Sequence, residues 1–560
     1  MVDMLHPFML YVGVIVPHKP DDARPGFLIL LLHAHLPFVR HPGHERFLEE
    51  SWLYEAITEC YLPLIQVLEG WERDGLPARL TWTLSPTLCA MLLDPLLRGR
   101  YRKRLEGLIL LAEKEVIRNH WNAPERAVAQ MYLDRFQGLL KTWDSHGGNL
   151  VKAFRRLQDA GVIEIITCAA THAVLPLLAT HPPAIRAQVR VACDHHAKCF
   201  GRAPRGIWLP ECAYVPEVEP ALREAGLRWF VVESHGVLHA NPRPVHGLFA
   251  PIWTSSGQAV FGRDIDSAQQ VWSRNGGYPG DFRYRDFYRD IGFDLDFDYV
   301  QPWLPSPDHR GFTGIKYHAI TGPGPEKIIY DRAAALAVAR EHAAHFLEAR
   351  AAHMRQLAPL MKRAPVMTAP YDAELFGHWW FEGPEFIDQL GREASRRTEA
   401  PAMVTPSQYL AEHATHQTAR PGASSWGEAG YWRVWINEEN AWIYPRLMKA
   451  QESMIGLARH AADLERTAGS LKHPSPGGAG IVEALRLAAN ELLLAQASDW
   501  PFQIRAGASA GYARQRLLTH LGRFDVLEAQ IRTGRFDAAQ LAVWAAEDVV
   551  FPEADWRYWV

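Results

Sequence analysis

Two stretches of the chain place a carboxyl group directly behind a short apolar run. Residues 366–382, VMTAPYDAELFGHWWFE, read as a strand that closes at Pro370 and opens into Asp372 and Glu374, then His378 and two tryptophans. Residues 205–216, RGIWLPECAYVP, repeat the design: the run closes at Pro210, Glu211 follows, and Tyr214 stands close behind. Carboxyls can give or take protons, and indole faces can cover the apolar C–H faces of a pyranose ring. One acid at each of two strand ends is also the equipment for breaking a glycosidic bond. One carboxylate attacks the anomeric carbon or activates water, and the other protonates the leaving oxygen. Either stretch alone also reads as a loop held by core tryptophans, since aromatic side chains pack far more often than they bind. The repeated pattern argues for chemistry.

These acids need elements to position them. Gly26 to Leu32 reads as a strand, and His33 and His35 beyond it stand at i and i+2, on one face of extended chain. Imidazoles there suit hydrogen bonds to sugar hydroxyls; no third ligand stands at a telling spacing, so no metal is expected. Further strands are Leu80 to Leu84, Gly161 to Thr167 leading to His172, Trp229 to Val232 before Glu233, and Ala259 to Gly262 before Arg263. Residues 87–160 repeat apolar positions three and four apart, as do 182–200 and 333–361, and predict helices. About seven strand-then-helix alternations between residues 26 and 405, with polar groups after the strands, predict an α/β chain folded as a parallel β/α barrel. An open doubly wound sheet would gather its ligand at one switch point and leave the other polar strand ends unexplained. Past Gly422 the texture becomes helical, with Trp426, Trp435 and the break Ser498-Asp499-Trp500-Pro501 as its exceptions. The expected organisation is a tail at 1–25, a barrel at 26–421 and a helical domain at 422–560.

Composition narrows the partners. The 560 residues are 48% apolar and 22% charged with a net charge of −4, which gives no basic footprint for nucleic acid or anionic lipid. No segment has eighteen uninterrupted apolar residues, so no membrane span is expected. The six cysteines are scattered without a Cys-x-x-Cys, a pattern that fits reduced thiols in the cytoplasm. Gly276 to Gly280 is glycine-rich, but the spacings of a phosphate-binding loop are missing, so no nucleotide cofactor is expected.

Taken together, the stretches from His33 to Phe38, Glu164 to His172, Trp208 to Tyr214, Ala369 to Trp380, Ser425-Trp426-Gly427 and Ala497 to Phe502 resemble glycoside hydrolase family 57, and its 1,4-α-glucan branching enzymes in particular. The resemblance runs from about Gly26 to the C-terminus. It implies a (β/α)7 barrel with a small insertion and a C-terminal all-helical domain closing over the cleft, acting on α-glucan by a retaining mechanism without metal or nucleotide. Carried over by position, Glu211 resembles the nucleophile and Asp372 the general acid/base. His33, His35 and His172 would line the site. Trp52, Trp272, Trp426 and Trp435 match aromatic glucan-binding positions, and Arg263, Gly280 and Asp499 match other cleft positions. The family's mobile loop carries a tyrosine in a Pro-x-Tyr-Gly setting that is associated with keeping water from the intermediate; here the matching loop offers His246. An α-glucan hydrolase on the same scaffold is the alternative activity. A non-catalytic glucan binder would need neither carboxylate.

Overall fold

The computed structural model describes residues 24–273, 276–322, 326–468, 478–548 and 550–560, so the expected tail at 1–25 lies almost wholly outside the described residues. The described residues form nine strands: β1 (Phe27–Ala34), β2 (Leu80–Leu84), β3 (Ile163–Ile166), β4 (Gly206–Ile207), β5 (Trp229–Val232), β6 (Ile252–Trp253), β7 (Ala259–Gly262), β8 (Val366–Asp372) and β9 (Ala402–Met403). One sheet runs β3-β2-β1-β8 and the other β4-β5-β7-β6. Two parallel bridges join them, Thr167 with Ile207 and Arg263 with Thr368. The Trp208 N–H donates to the Thr167 carbonyl at 2.9 Å, and the Asp264 N–H to the Thr368 carbonyl at 2.8 Å. The circuit β1-β2-β3-β4-β5-β7-β8 therefore closes on itself as a parallel barrel. β6 pairs antiparallel with β7 outside the ring, and β9 lies parallel beside the first residues of β1.

Every residue of β1 is buried, as expected of a parallel strand covered on both faces. Alternate residues divide between two cores. Phe27, Ile29 and Leu31 pack inside the ring with Ile166, Trp208, Trp229, Val231 and Phe261. Leu28, Leu30 and Leu32 pack outward into the main helical core. The next odd position is His33, so the strand's own period turns that imidazole inward at the ring's C-terminal mouth.

Long helices surround the ring: Pro95–Arg118, Ala123–Ser145 and Leu150–Asp159 between β2 and β3, Pro182–Phe200 after β3, and Arg332–Met361 before β8. The C-terminal region is built from the helices Ile443–Ala468, Gly478–Ala495, Asp499–Ala506, Ala510–Thr533 and Ala538–Asp548. It docks on the turn after β3, where the Thr171 hydroxyl bonds the Leu493 carbonyl and the Ser498 N–H donates to the His172 carbonyl at 3.2 Å.

The turn after β8 is seated on the helix that follows β1. That helix widens into one π-turn at Ile57–Tyr61 between α-helical stretches Glu50–Ala56 and Leu62–Arg73. Tyr61 and Glu59 on the π-turn bond Glu374 and His378 on the β8 turn. Gly377 lies between them at φ +123°, where a Cβ would run into the Glu59 carbonyl oxygen. Because that neighbour is backbone, rotamer change cannot relieve the overlap. Gly377→Ala should destabilise the protein by about 1–3 kcal/mol or more and lower its thermal midpoint in calorimetry. Gly138→Ala, at an uncrowded position within the helix Ala123–Ser145, should leave the midpoint unchanged or raise it.

Candidate active site

Glu211 follows β4 through Pro210, in a turn where Glu211 (φ 64°) and Cys212 (φ 51°) both adopt the left-handed conformation that side chains disfavour. His172, beyond β3, does the same at φ 57°. Such strain persists only where the surroundings over-determine it, and here it marks two neighbouring strand ends. The Glu211 carboxyl has two fixed donors: the Trp426 indole N–H reaches Oε2 at 2.8 Å and the Ser498 hydroxyl reaches Oε1 at 3.1 Å. Ser498 Oγ is also 2.7 Å from His172 Nδ1, and His172 Nε2 is 2.9 Å from His33 Nε2. If Ser498 donates to the carboxylate, its oxygen takes the His172 Nδ1 proton, which leaves His172 Nε2 to accept from His33. Four groups then donate in one direction, toward Glu211.

The second acid, Asp372, ends β8 directly opposite His33 in register. Arg263, just past β7, holds Glu233 at 2.9 Å and lies over the Trp426 ring at 5.5 Å. His35 stacks flat on His172 with ring centroids 3.9 Å apart, and bonds Ser85 Oγ at 2.9 Å and Asp499 at 3.1 Å. Ser85 caps the helix Pro86–Leu93, so a β2 terminus fixes His35. Trp208 underlies His33 at 5.0 Å and meets Trp426 at 4.9 Å.

Burial dominates the electrostatics. It pushes Glu211 up to about 8, an effect increased by the charges of Asp372 and Asp499 and opposed by the Trp426 and Ser498 hydrogen bonds. Burial also raises Asp372, to about 6, against the pull of Arg263 and His35. Glu374, bonded by Tyr61, is raised to about 8 by the same cause. His33 and His172 are held well below the usual imidazole range by burial and by neighbouring histidines, so both rings are neutral, as the one-directional chain requires. The carboxyl pair thus shares one proton near neutrality. At neutral pH these values leave that proton on Glu211, whereas attack by Glu211 calls for it on Asp372, so the proton must pass to Asp372 before the glycosidic bond is broken.

Residues 29–420 match the family described as glycosyl hydrolase family 57, and residues 446–559 match that described as 1,4-alpha-glucan branching enzyme, C-terminal. The chain belongs to glycosyl hydrolase family 57. It is 32% identical over 553 residues to a 1,4-alpha-glucan branching enzyme of Thermococcus kodakarensis, covering 92% of this chain and 76% of that one. Among solved structures, the GH57-type branching enzyme from Pyrococcus horikoshii superposes with a TM-score of 0.83 at 31% identity, over 96% of this chain and 97% of the other. The novel alpha-amylase AmyC from Thermotoga maritima superposes with a TM-score of 0.87 at 38% identity, over 95% and 99%. The α/β architecture with a helical C-terminal region is therefore the family 57 fold.

Of the residues that the family 57 motifs single out, the structure gathers Glu211, Asp372, His33, His35, His172, Arg263, Trp426 and Asp499 at one end of the ring. Trp52 stands at the junction with the C-terminal helices, edge-on to Tyr512 at 6.1 Å. Trp272 is 39% exposed at the far end of the helix Ile265–Trp272, and Gly280 is exposed in the turn Tyr278–Gly280. Both sit farther out than the carboxyls. Trp435 is only 2% exposed: it packs with Val174 and Ala213, and its ring fills the space beside Gly427. It supports the turn that carries Trp426 and presents no open face.

The structure places His246, in the segment that resembles the family's mobile loop, away from the two carboxyls. The Val245 N–H donates to Gln417 and the Phe249 carbonyl accepts from Val366 N at 2.9 Å, which pins the loop to the start of β8, while Asp372 is at its end. Burial and the Arg363 charge lower the pKa of His246. Ser498, Ser85, Glu233 and Trp208 were not singled out as site residues. Glu233 follows its strand as Glu211 and Asp372 follow theirs, which was the available signal; Ser498 had only its adjacency to Asp499.

Ligand atoms of His33, Cys168 and His172 lie within 4.8 Å of one another. The two imidazole nitrogens are at hydrogen-bond spacing, 2.9 Å, whereas two nitrogens on one tetrahedral zinc at ~2.05 Å stand about 3.3 Å apart. Glu491, His520 and Asp548 form a second such group, but Arg523 and Arg516 already neutralise its carboxylates.

Since both carboxyls protonate below about 6 and both ionise above about 8, kcat/KM on an α-glucan should follow a bell with limbs near those values, measured across pH in constant ionic strength. Ser498→Ala removes a donor to the Glu211 carboxylate. It should lower kcat about 10- to 100-fold and move the alkaline limb, the one near 8 that Glu211 sets, upward, since the charged form of Glu211 loses support.

Proposed function

We propose that this protein is a 1,4-alpha-glucan branching enzyme. Glu211 attacks the anomeric carbon of an α-1,4-linked glucose while Asp372 protonates the departing glucan oxygen, giving a covalent glycosyl-enzyme. Asp372, now ionised, takes the proton of a 6-hydroxyl on an acceptor chain, whose oxygen displaces Glu211 and forms the α-1,6 branch. The observation that carries the reading is the seating of the C-terminal helices. Ser498 and Asp499, inside the region matched to the branching-enzyme C-terminal family, contact Glu211 and His35 directly. A region that completes the nucleophile's surroundings is placed to hold an acceptor as well, and orientation of two chains is what transfer needs beyond hydrolysis.

A second reading, an α-amylase-type hydrolase, has its own support in the 38% identity to the Thermotoga structure. It uses the same covalent intermediate with water in place of the 6-hydroxyl. No helix among the described residues is long and apolar enough to cross a membrane, and all six cysteines are buried free thiols, which agrees with a reducing cytoplasmic setting.

Incubation with amylose, followed by debranching and counting of α-1,6 linkages against new reducing ends, decides between the two activities. Branch points should exceed reducing ends; reducing ends alone would establish the hydrolase. Glu211→Gln and Asp372→Asn should each lower either activity by several orders of magnitude, with amylose binding largely kept.

A further inference from the structure

The β8 turn carries an aromatic surface that the carboxyl chemistry does not use. Trp379 is 54% exposed, and one face of its ring is covered by Phe287 at 4.5 Å and an interplanar angle of 23°. A large indole left open in this way is stiffened, not loose. His378 meets it edge-on at 5.4 Å and is tied to Glu59 at 2.6 Å. Lys316 bonds the Phe287 carbonyl and lies 4.4 Å above the Phe287 ring. Buried Asp290 clamps the neighbouring chain by accepting from Gly292 N at 2.8 Å, Thr313 N at 2.9 Å and Gly314 N at 2.9 Å. Tyr288, 68% exposed, extends the surface beside Phe287.

The platform is joined through the backbone to the strand that carries Asp372. Trp379 N donates to the Glu374 carbonyl at 3.3 Å, two residues beyond Asp372. Glu59 and half-buried Glu55 lie on the same helix as Trp52, seven and three residues along from it, a run of about 10 Å at the helical rise. A flat ring with an imidazole at its edge offers what a pyranose needs: stacking for its C–H face and a polar group beside it for a hydroxyl.

We infer that Trp379, backed by Phe287, is a glucan-binding platform outside the catalytic cleft, holding a distal part of the same α-glucan whose bond is cut between Glu211 and Asp372. The inference rests on the branching reading for its ligand class. It adds a site that retains long chains and is not required by short ones. Preordering by Phe287, His378 and Asp290 lowers the ordering cost of binding.

Affinity electrophoresis of the full chain in native gels with and without glycogen tests this. Trp379→Ala should weaken retardation by glycogen about five- to tenfold, the range expected for one aromatic stack, while kcat/KM on a short chromogenic maltooligosaccharide stays within about twofold. Trp379→Tyr should keep most of the retardation. Unchanged glycogen affinity in Trp379→Ala would overturn the inference. So would equal loss on polymer and short substrate, which marks a structural role, or a change confined to oligomeric state in light scattering, which marks a contact between copies. Should the parent protein be retarded through Trp379 yet make no α-1,6 linkages from amylose, the branching reading fails and the platform stands.

Discussion

The hydroxyl of Ser498 is the contact on which the site depends. It bridges Glu211 Oε1 and His172 Nδ1, and it comes from the C-terminal helices, not from the ring. Remove that region and the nucleophile keeps its strained turn but loses a donor. The histidine chain loses its outlet, and His35 loses Asp499. The catalytic ring and the helical region are thus one site in two halves, and the match of each half to its own family model follows this division.

The same contact bears on how two carboxyls that feel each other's charge are tolerated under burial. Desolvation favours the neutral form of both, and mutual repulsion adds to it for Glu211. Donors aimed at one member break the symmetry. Trp426 can only donate, and Ser498 donates when His172 fills its oxygen, so the Glu211 carboxylate has two hydrogen bonds to support its charge, although burial and the neighbouring acids still push it above Asp372. Asp372 is left with Arg263 and His35 as charges at longer range. A neutral His172 completes the device, since a protonated one would carry a donor on Nε2 and could not accept from His33.

Topology accounts for where the structure places the His246 loop. In a β/α ring, the connection from helix to next strand lies at the N-terminal mouth, and the connection from strand to helix lies at the C-terminal mouth. The His246 loop follows the helix Ser234–Leu238 and precedes β7, so chain order alone assigns it to the far end, and the bonds to Gln417 and Val366 agree. Trp435 is a different case. In a stretch rich in aromatic residues, tryptophan looks the same in sequence whether its ring faces a ligand or fills a void next to Gly427.

Local sequence determined the strands, the histidines' inward face and the two acids, because an apolar run closed by proline and followed by a carboxylate is a local pattern with a local cause. The alternation along β1 was enough to turn His33 inward. What the tertiary structure alone decided was closure of the ring through two single-residue bridges, the direction of the donors around Glu211, and the end of the ring to which each loop belongs. Those depend on residues hundreds of positions apart, such as Glu211 with Ser498 and His35 with Asp499. No periodicity within one segment carries information about a partner brought up by another.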